Sequence, residues 1–306
     1  MALKLIFMGT PEFALPIMEA INHSSHKIAA VYTQAPKKSK RGQKIHISPV
    51  HQYSEKLSLE VRYPENLNNA QEIQFFEKIN PDVVVVVAYG KILPKKLLHL
   101  KNIKFLNVHA SLLPKWRGAA PIQRSIINMD EETGISIMKI LPKLDSGPIM
   151  LQEKIKISND DDYISLSRKL SILGSKLILE TLNLIEKKSF KFIDQDEQIA
   201  TYAKKVNKNE AIADWNMTAE QLVAKIKGLN PFPGVWFVHK KARIKIISAS
   251  VTNSKGNPGE VLDNELTIAC KEKSIKISLL QKEGKKKLTS KDFLIGYKIK
   301  KGEKLF

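Results

Sequence analysis

Apolar positions along the 306 residues fall into two regimes. In the first half, short apolar runs alternate with amphipathic stretches. Leu3–Met8 is a run ending at Gly9, and Pro11 is placed to open a helix through about Ile21. Ile28–Tyr32 predicts a second strand, Ala70–Ile79 a helix and residues 104–109 another strand. Within 82–88, Val83-Val-Val-Val-Val87 has no polar alternation, the pattern of a strand covered on both faces of a parallel sheet. This succession predicts an open, mostly parallel, Rossmann-like α/β sheet. Residues 33–49 interrupt it. They are polar and basic, carry Pro36, Gly42 and Pro49, and predict a long exposed loop.

The second regime begins with an amphipathic helix over 160–188, where Leu166, Leu170, Leu173 and Leu177 recur at helical spacing. Aspartates at its start and Lys187-Lys188 at its end suit the helix dipole. A polar stretch follows. Thr218 and Gln221 then form a capping-box pattern for a helix ending at Gly228, and Asn230-Pro-Phe-Pro-Gly234 breaks the chain. Short runs at 235–238, 243–251, 259–262, 265–270 and 274–280 predict five strands, which suit a small β-barrel of the oligonucleotide-binding (OB) type. The expected organisation is a domain over 1–189, a linker over 190–206 and a basic OB-like domain over 207–306.

Composition narrows the classes. With 43% hydrophobic and 26% charged residues the chain has the makeup of a folded protein, which excludes wholesale disorder. No stretch approaches the roughly 18 apolar residues of a membrane span. The first residues read as a strand rather than a signal peptide, so a cytoplasmic location and no membrane partner are expected. A single cysteine, Cys270, excludes an internal disulfide and a multi-cysteine zinc site. His23-Ser-Ser-His26 has no acidic companion and reads as a solvated helix end, so no metal is expected. A monomer is the default, because no coiled-coil pattern is present.

The formal charge is +19, and the last 100 residues carry 20 Lys and Arg against 10 Asp and Glu. Lys285, Lys286 and Lys287 are consecutive there, and an early cluster joins Lys37, Lys38, Lys40, Arg41 and Lys44. Such footprints suit a phosphate backbone, and equally a solvated lysine-rich surface.

The densest chemistry lies in Asn107-Val-His-Ala-Ser-Leu-Leu-Pro-Lys-Trp-Arg-Gly-Ala-Ala-Pro121. Asn107 and His109, two apart at the C-terminal end of a predicted strand, leave the same face. Asp145, in Leu144-Asp-Ser-Gly-Pro148, could bring a carboxylate beside the imidazole. An amide donor, a base and a carboxylate match acyl transfer. The same residues also suit a satisfied buried histidine and a turn-forming aspartate. Gly9-Thr-Pro-Glu-Phe13 lacks both the dinucleotide and the Walker fingerprints.

Residues 107–121 and 144–148 resemble the folate-dependent formyltransferases. Met8-Gly-Thr-Pro-Glu-Phe13, Ser48-Pro-Val50, the stretch Pro81–Pro94, Ala119–Arg124, Asn230–Gly234 and Leu280–Lys285 extend the resemblance end to end. It implies transfer of the formyl group of 10-formyltetrahydrofolate to the α-amino group of methionine carried by initiator tRNA. It further implies Asn107, His109 and Asp145 as the catalytic set, and Ser111, Leu112, Leu113, Pro114, Tyr89, Gly90 and Ile92 around the folate. Arg41, Lys40, Lys44, Lys285, Lys286 and Lys287 would contact tRNA. The loop departs from the family's Gly-Arg-Gly context, reading Lys37-Lys-Ser-Lys-Arg-Gly42. The nearest rival is a formyltetrahydrofolate-dependent transferase or hydrolase acting on a small substrate.

Overall fold

In a computed structural model of the chain, residues 2–38 and 45–305 are described. The first half runs β1 (Lys4–Gly9), α1 (Leu15–Asn22), β2 (Lys27–Tyr32), β3 (Lys37–Lys38), β4 (Ile45–His46), α2 (Pro49–Lys56), β5 (Val61–Arg62), α3 (Ala70–Ile79), β6 (Val83–Val87), α4 (Lys95–Leu98) and β7 (Lys104–His109). Then come β8 (Arg117–Gly118), α5 (Pro121–Ile127), β9 (Glu132–Lys139), β10 (Ile149–Lys156) and the long α6 (Tyr163–Glu186). The remainder is β11 (Tyr202–Ala203), α7 (Ala219–Leu229), β12 (Trp236–His239), β13 (Ala242–Thr252), β14 (Thr267–Ala269), β15 (Ser274–Lys282), β16 (Lys287–Thr289) and α8 (Ser290–Gly296). Two compact units result: Met1–Gly118 with Thr133–Ile155 and Ser167–Tyr202, and Ala119–Glu132 with Lys156–Leu166 and Ala203–Phe306.

The first unit is organised by a sheet in the order β10-β9-β7-β6-β1-β2-β5. Its β7-β6-β1-β2-β5 part is parallel, and β9 pairs antiparallel with β7. Val83–Val87 are all buried, as an uninterrupted β-branched run requires when both faces are covered. On one face Val84 and Val86 join Ile6, Met8, Tyr32, Phe76 and Phe105 in a core with α3. On the other, Gly174 of α6 sits so close to Ile17 and Val108 that an added Cβ would lie 3.0 and 3.2 Å from them. The mostly parallel sheet is the one the periodicity predicts. The antiparallel β9 is outside that pattern.

Residues 33–38 and 45–49 are more ordered than their polarity suggests. Thr33 is buried, Lys37 and Lys38 pair antiparallel with His46 and Ile45, and Pro49 opens α2 with Ser48 as its cap. Residues 39–44, which hold Lys40, Arg41 and Lys44, lie outside the described residues. The stretch read as a linker is also tied down, with Ile193 bridging to Ile149 and Gln195 bonded at the Asp145 turn.

In the second unit, a five-stranded antiparallel sheet runs β12-β13-β15-β14 with β16 on β15. It curls through register shifts between Ile246 and Ala249. Its inner side packs Phe237, Ile244, Ile246, Ile268, Ile275, Ile277 and Leu280 against Leu222, Ile226 and Leu229 of α7. This is a curled half-barrel, consistent with an OB-like domain. Five strands are present, but not the five expected. Residues 259–262 form only isolated bridges after Pro258 and Gly259 (φ +84°), and β16 takes the fifth place. Thr218 and Gln221 make the predicted capping box.

Candidate active site

β7 ends in the middle of the sheet, between β6 and β9, and so delivers its last side chains to the sheet's C-terminal edge. Asn107 is half-buried and His109 buried, with Val108 turned to the opposite, α6-covered face. Asp145 reaches the same place from the turn between β9 and β10. Its Oδ1 lies 3.5 Å from Asn107 Nδ2 and its Oδ2 3.7 Å from His109 Nδ1. Both contacts are longer than tight hydrogen bonds. One anchor is short: Gly118 N–H donates to Asp145 Oδ2 at 2.8 Å. Thus the sequence-selected amide, imidazole and carboxylate converge.

A backbone carbonyl contacts the histidine on the side of the ring away from Asp145. His109 Nε2 lies 3.0 Å from the Trp116 carbonyl oxygen. A carbonyl only accepts, so Nε2 carries a proton and the neutral ring keeps its lone pair at Nδ1, toward Asp145. A backbone group therefore fixes the tautomer, and the carboxylate stands beside the basic nitrogen. Trp116 (φ +61°) and Asp145 (φ +43°) both occupy left-handed backbone, a conformation that surrounding contacts must hold.

The other residues implied by the resemblance divide by direction. Ser111 is wholly buried and donates its hydroxyl to the Lys115 carbonyl at 2.6 Å. Leu113 N–H donates to Ser136 Oγ, its carbonyl accepts from Gln152, and a cis bond joins it to Pro114. Leu112 is half-buried, and its side chain lies against Gly134. The ring of Tyr89 lies in the α3-side core, where burial pushes its hydroxyl pKa up to about 12. Its carbonyl accepts from Thr10 Oγ1 and Gln34 Nε2. Gly90 (φ +80°) leaves no room for a Cβ beside Gln34, and Ile92 is 88% exposed. Sequence reasoning missed Arg117, Gln195 and Thr201. Arg117 is completely buried, with Nε donating to Gln195 Oε1 (2.9 Å) and Nη2 to Glu197 (2.8 Å). Together with Lys143, Arg117 holds the Glu197 carboxyl down to about 2.

Elsewhere, Lys285, Lys286 and Lys287 are exposed on and before β16, beside Lys282, whose Nζ lies 4.6 Å from the centre of the Tyr297 ring. His26 is buried rather than solvated, because parallel pairing of Lys4 with Lys27 brings it against Leu3, whose N–H its Nδ1 accepts at 3.2 Å. Burial lowers its pKa. Cys270 is buried and its thiol pushed up to about 11, which leaves it unreactive. Among the described residues no three His, Cys, Asp or Glu side chains cluster to hold a metal, and no helix is long and apolar enough to cross a membrane.

An amide, an imidazole and a carboxylate thus meet at the C-terminal edge of an α/β sheet. Comparison with known proteins assigns the family. Residues 3–182 match the formyl transferase family and 205–298 the formyl transferase C-terminal domain. The chain belongs to the formyl transferase family. It is 47% identical to a methionyl-tRNA formyltransferase of Pelagibacter ubique, over 100% of this chain and 99% of the relative. It is 42% identical to one of Parvibaculum lavamentivorans, over 98% and 99%. Among solved structures, HypX from Aquifex aeolicus in complex with tetrahydrofolic acid shares the fold at a TM-score of 0.68 and 16% identity. The match covers 96% of this chain and 47% of HypX, so this chain spans about half of that protein. The sugar 3N-formyl transferase WlaRD matches at a TM-score of 0.67 and 19% identity, over 94% and 100%.

Proposed function

We propose that this protein transfers the formyl group of 10-formyltetrahydrofolate to the α-amino group of methionine on initiator tRNA, giving N-formylmethionyl-tRNA for translation initiation. The first unit, which includes residues 190–202, carries the chemistry, and the second, which includes 203–306, binds tRNA. The observation that carries the reading is the approach of Asp145 to both Asn107 and His109. The full-length relatives that bear the methionyl-tRNA formyltransferase name support it.

Each side chain has a task that its geometry permits. The attacking amine must be neutral, and a free α-amino group titrates near about 7.7–8.0. Asn107 Nδ2 donates to the formyl oxygen as it becomes an oxyanion. His109 Nδ1 takes the proton the amine loses, and Asp145 stabilises the imidazolium alongside it; as the oxyanion collapses, the bond from the formyl carbon to N10 breaks and the imidazolium returns the proton to N10 of the departing tetrahydrofolate. The Trp116 carbonyl keeps the ring in place throughout. For the folate, Ile92 and Leu112 offer apolar surface, Gly90 permits close backbone approach, and Ser111, Leu113 and Pro114 shape the loop beneath. Tyr89 serves through its backbone. Lys285, Lys286 and Lys287 pair with tRNA phosphates, and Lys40, Arg41 and Lys44 with the acceptor end.

The test is formyl incorporation into methionyl initiator tRNA, with the folate donor present or omitted. Donor-dependent N-formylmethionine on tRNA supports the reading. Folate consumption that yields only free formate, or a formylated small amine in preference to tRNA, refutes it.

A further inference from the structure

We propose that Gln195 and Arg117 are positioning residues for Asp145, so that the stretch between the two family-matched regions completes the catalytic site. The inference rests on Asp145 being catalytic. Residues 195–201 fall outside both matched spans, 3–182 and 205–298. Their polar composition gives them the look of a connector, yet their side chains reach back across the chain to the reactive turn.

Gln195 Nε2 donates to two carbonyls of that turn, Asp145 O at 2.9 Å and Gly147 O at 2.7 Å. Its Oε1 accepts from Arg117 Nε at 2.9 Å. The amide therefore has one permitted orientation. Reversed, it would set its oxygen against two carbonyls and its NH2 against a guanidinium. Bridging both carbonyls, Gln195 holds the turn in which Asp145 keeps its left-handed φ of +43°.

Arg117 is the hub. Its buried guanidinium is held by Gln195 and Glu197, and its backbone N–H donates to the Thr201 carbonyl at 2.9 Å. Thr201 Oγ1 also accepts from Trp116 N–H at 2.9 Å. The residues on either side of Arg117 then grip the two reactive partners: Trp116 O holds His109 Nε2, and Gly118 N–H holds Asp145 Oδ2. One anchored tripeptide thus sets the spacing between imidazole and carboxylate. A misplacement of about 1 Å in such a constellation is enough to lower a rate by about 100-fold.

The test uses the full-length protein. Gln195→Glu keeps an acceptor toward Arg117 but cannot donate to the two carbonyls. The expected result is a kcat lower by about 10- to 100-fold, with KM for both substrates and the thermal midpoint close to wild type. Asp145→Asn supplies the control and the coupling. If Gln195 acts through Asp145, then adding Gln195→Glu to Asp145→Asn lowers kcat little further. An unchanged kcat in the single variant overturns the proposal, as does a double variant whose losses multiply. Should Gln195→Glu fail to fold, Thr201→Val, which removes only the acceptor for Trp116 N–H, is carried through the same cycle with the same expectations. Failure of the underlying reading is distinguishable, because Asp145→Asn alone would then retain wild-type kcat.

Discussion

Replacing Asp145 by Asn isolates the charge in the proposed mechanism. The two side chains have the same shape, and an Asn oxygen still accepts from Gly118 N–H, as Asp145 Oδ2 does at 2.8 Å. What disappears is the negative charge 3.7 Å from His109 Nδ1. At an effective dielectric of about 20, two unit charges at that separation interact by about 4.5 kcal/mol. The Asp145 side chain is 14% exposed, so water screens part of this, leaving about 3–4 kcal/mol. That energy counts only once the imidazolium forms, so it belongs to the transition state. At about 1.4 kcal/mol per decade, kcat should fall by about 100- to 1,000-fold. The KM values for folate and tRNA should move less than about 3-fold, since the Asp145 charge serves the proton transfer rather than the binding of either substrate. Initial rates of N-formylmethionyl-tRNA formation, with each substrate varied in turn, measure both quantities. A loss confined to KM, with kcat intact, would refute the assignment of Asp145 to charge stabilisation.

Three further outcomes follow from the same structure. If tRNA phosphates are bound by the basic second unit, KM for tRNA rises steeply with salt, and each of Lys285→Ala, Lys286→Ala and Lys287→Ala reduces the log–log slope by about 1; a salt-independent KM would instead point to a small substrate. Gly147→Ala places a Cβ 1.8 Å from the Lys139 carbonyl oxygen, so the turn carrying Asp145 must shift; we expect a loss of stability of about 1–3 kcal/mol by denaturant titration together with reduced kcat, and wild-type values for both would show that the turn tolerates a side chain. Arg124, donating Nη1 to Glu210 Oε2 at 2.6 Å, lowers the Glu210 pKa, so its stabilisation is complete above the unfolded value of about 4.3 and is lost as pH falls through the lower folded value; Glu210→Gln should therefore flatten the acid limb of the stability profile below about pH 5 and leave an unaltered limb only if the pair contributes nothing.

Much of the frame was legible because burial on both faces leaves a direct imprint on sequence. Val83–Val87 and Leu3–Met8 could be little else than central strands, and the i, i+2 spacing of Asn107 and His109 fixed their common face. Side-chain patterns are silent about where peptide groups point. The Trp116 carbonyl that sets the His109 tautomer, and the left-handed backbone at Trp116 itself, had no signal in residue type. Gln195 and Arg117 were hidden for another reason. Their bonds span 78 residues between them and 50 from Gln195 to Asp145, and a polar stretch satisfied by distant partners has the composition of a solvated linker. His26 misled in the opposite way, since its burial depends on the start of β1 lying beside the start of β2. Residues 259–262 are apolar enough for a strand, yet the preceding Pro258 and the positive φ of Gly259 interrupt the ladder.

The most direct test is a single-turnover experiment with His109→Ala and the wild-type protein, each saturated with 10-formyltetrahydrofolate and methionyl initiator tRNA. Rapid appearance of the formyl group on the methionine amine is expected in the wild type. In the variant the expected rate is at least about 100-fold slower, with tRNA affinity retained. A variant as fast as the wild type, or a wild type that releases formate without labelling tRNA, would contradict the proposed mechanism.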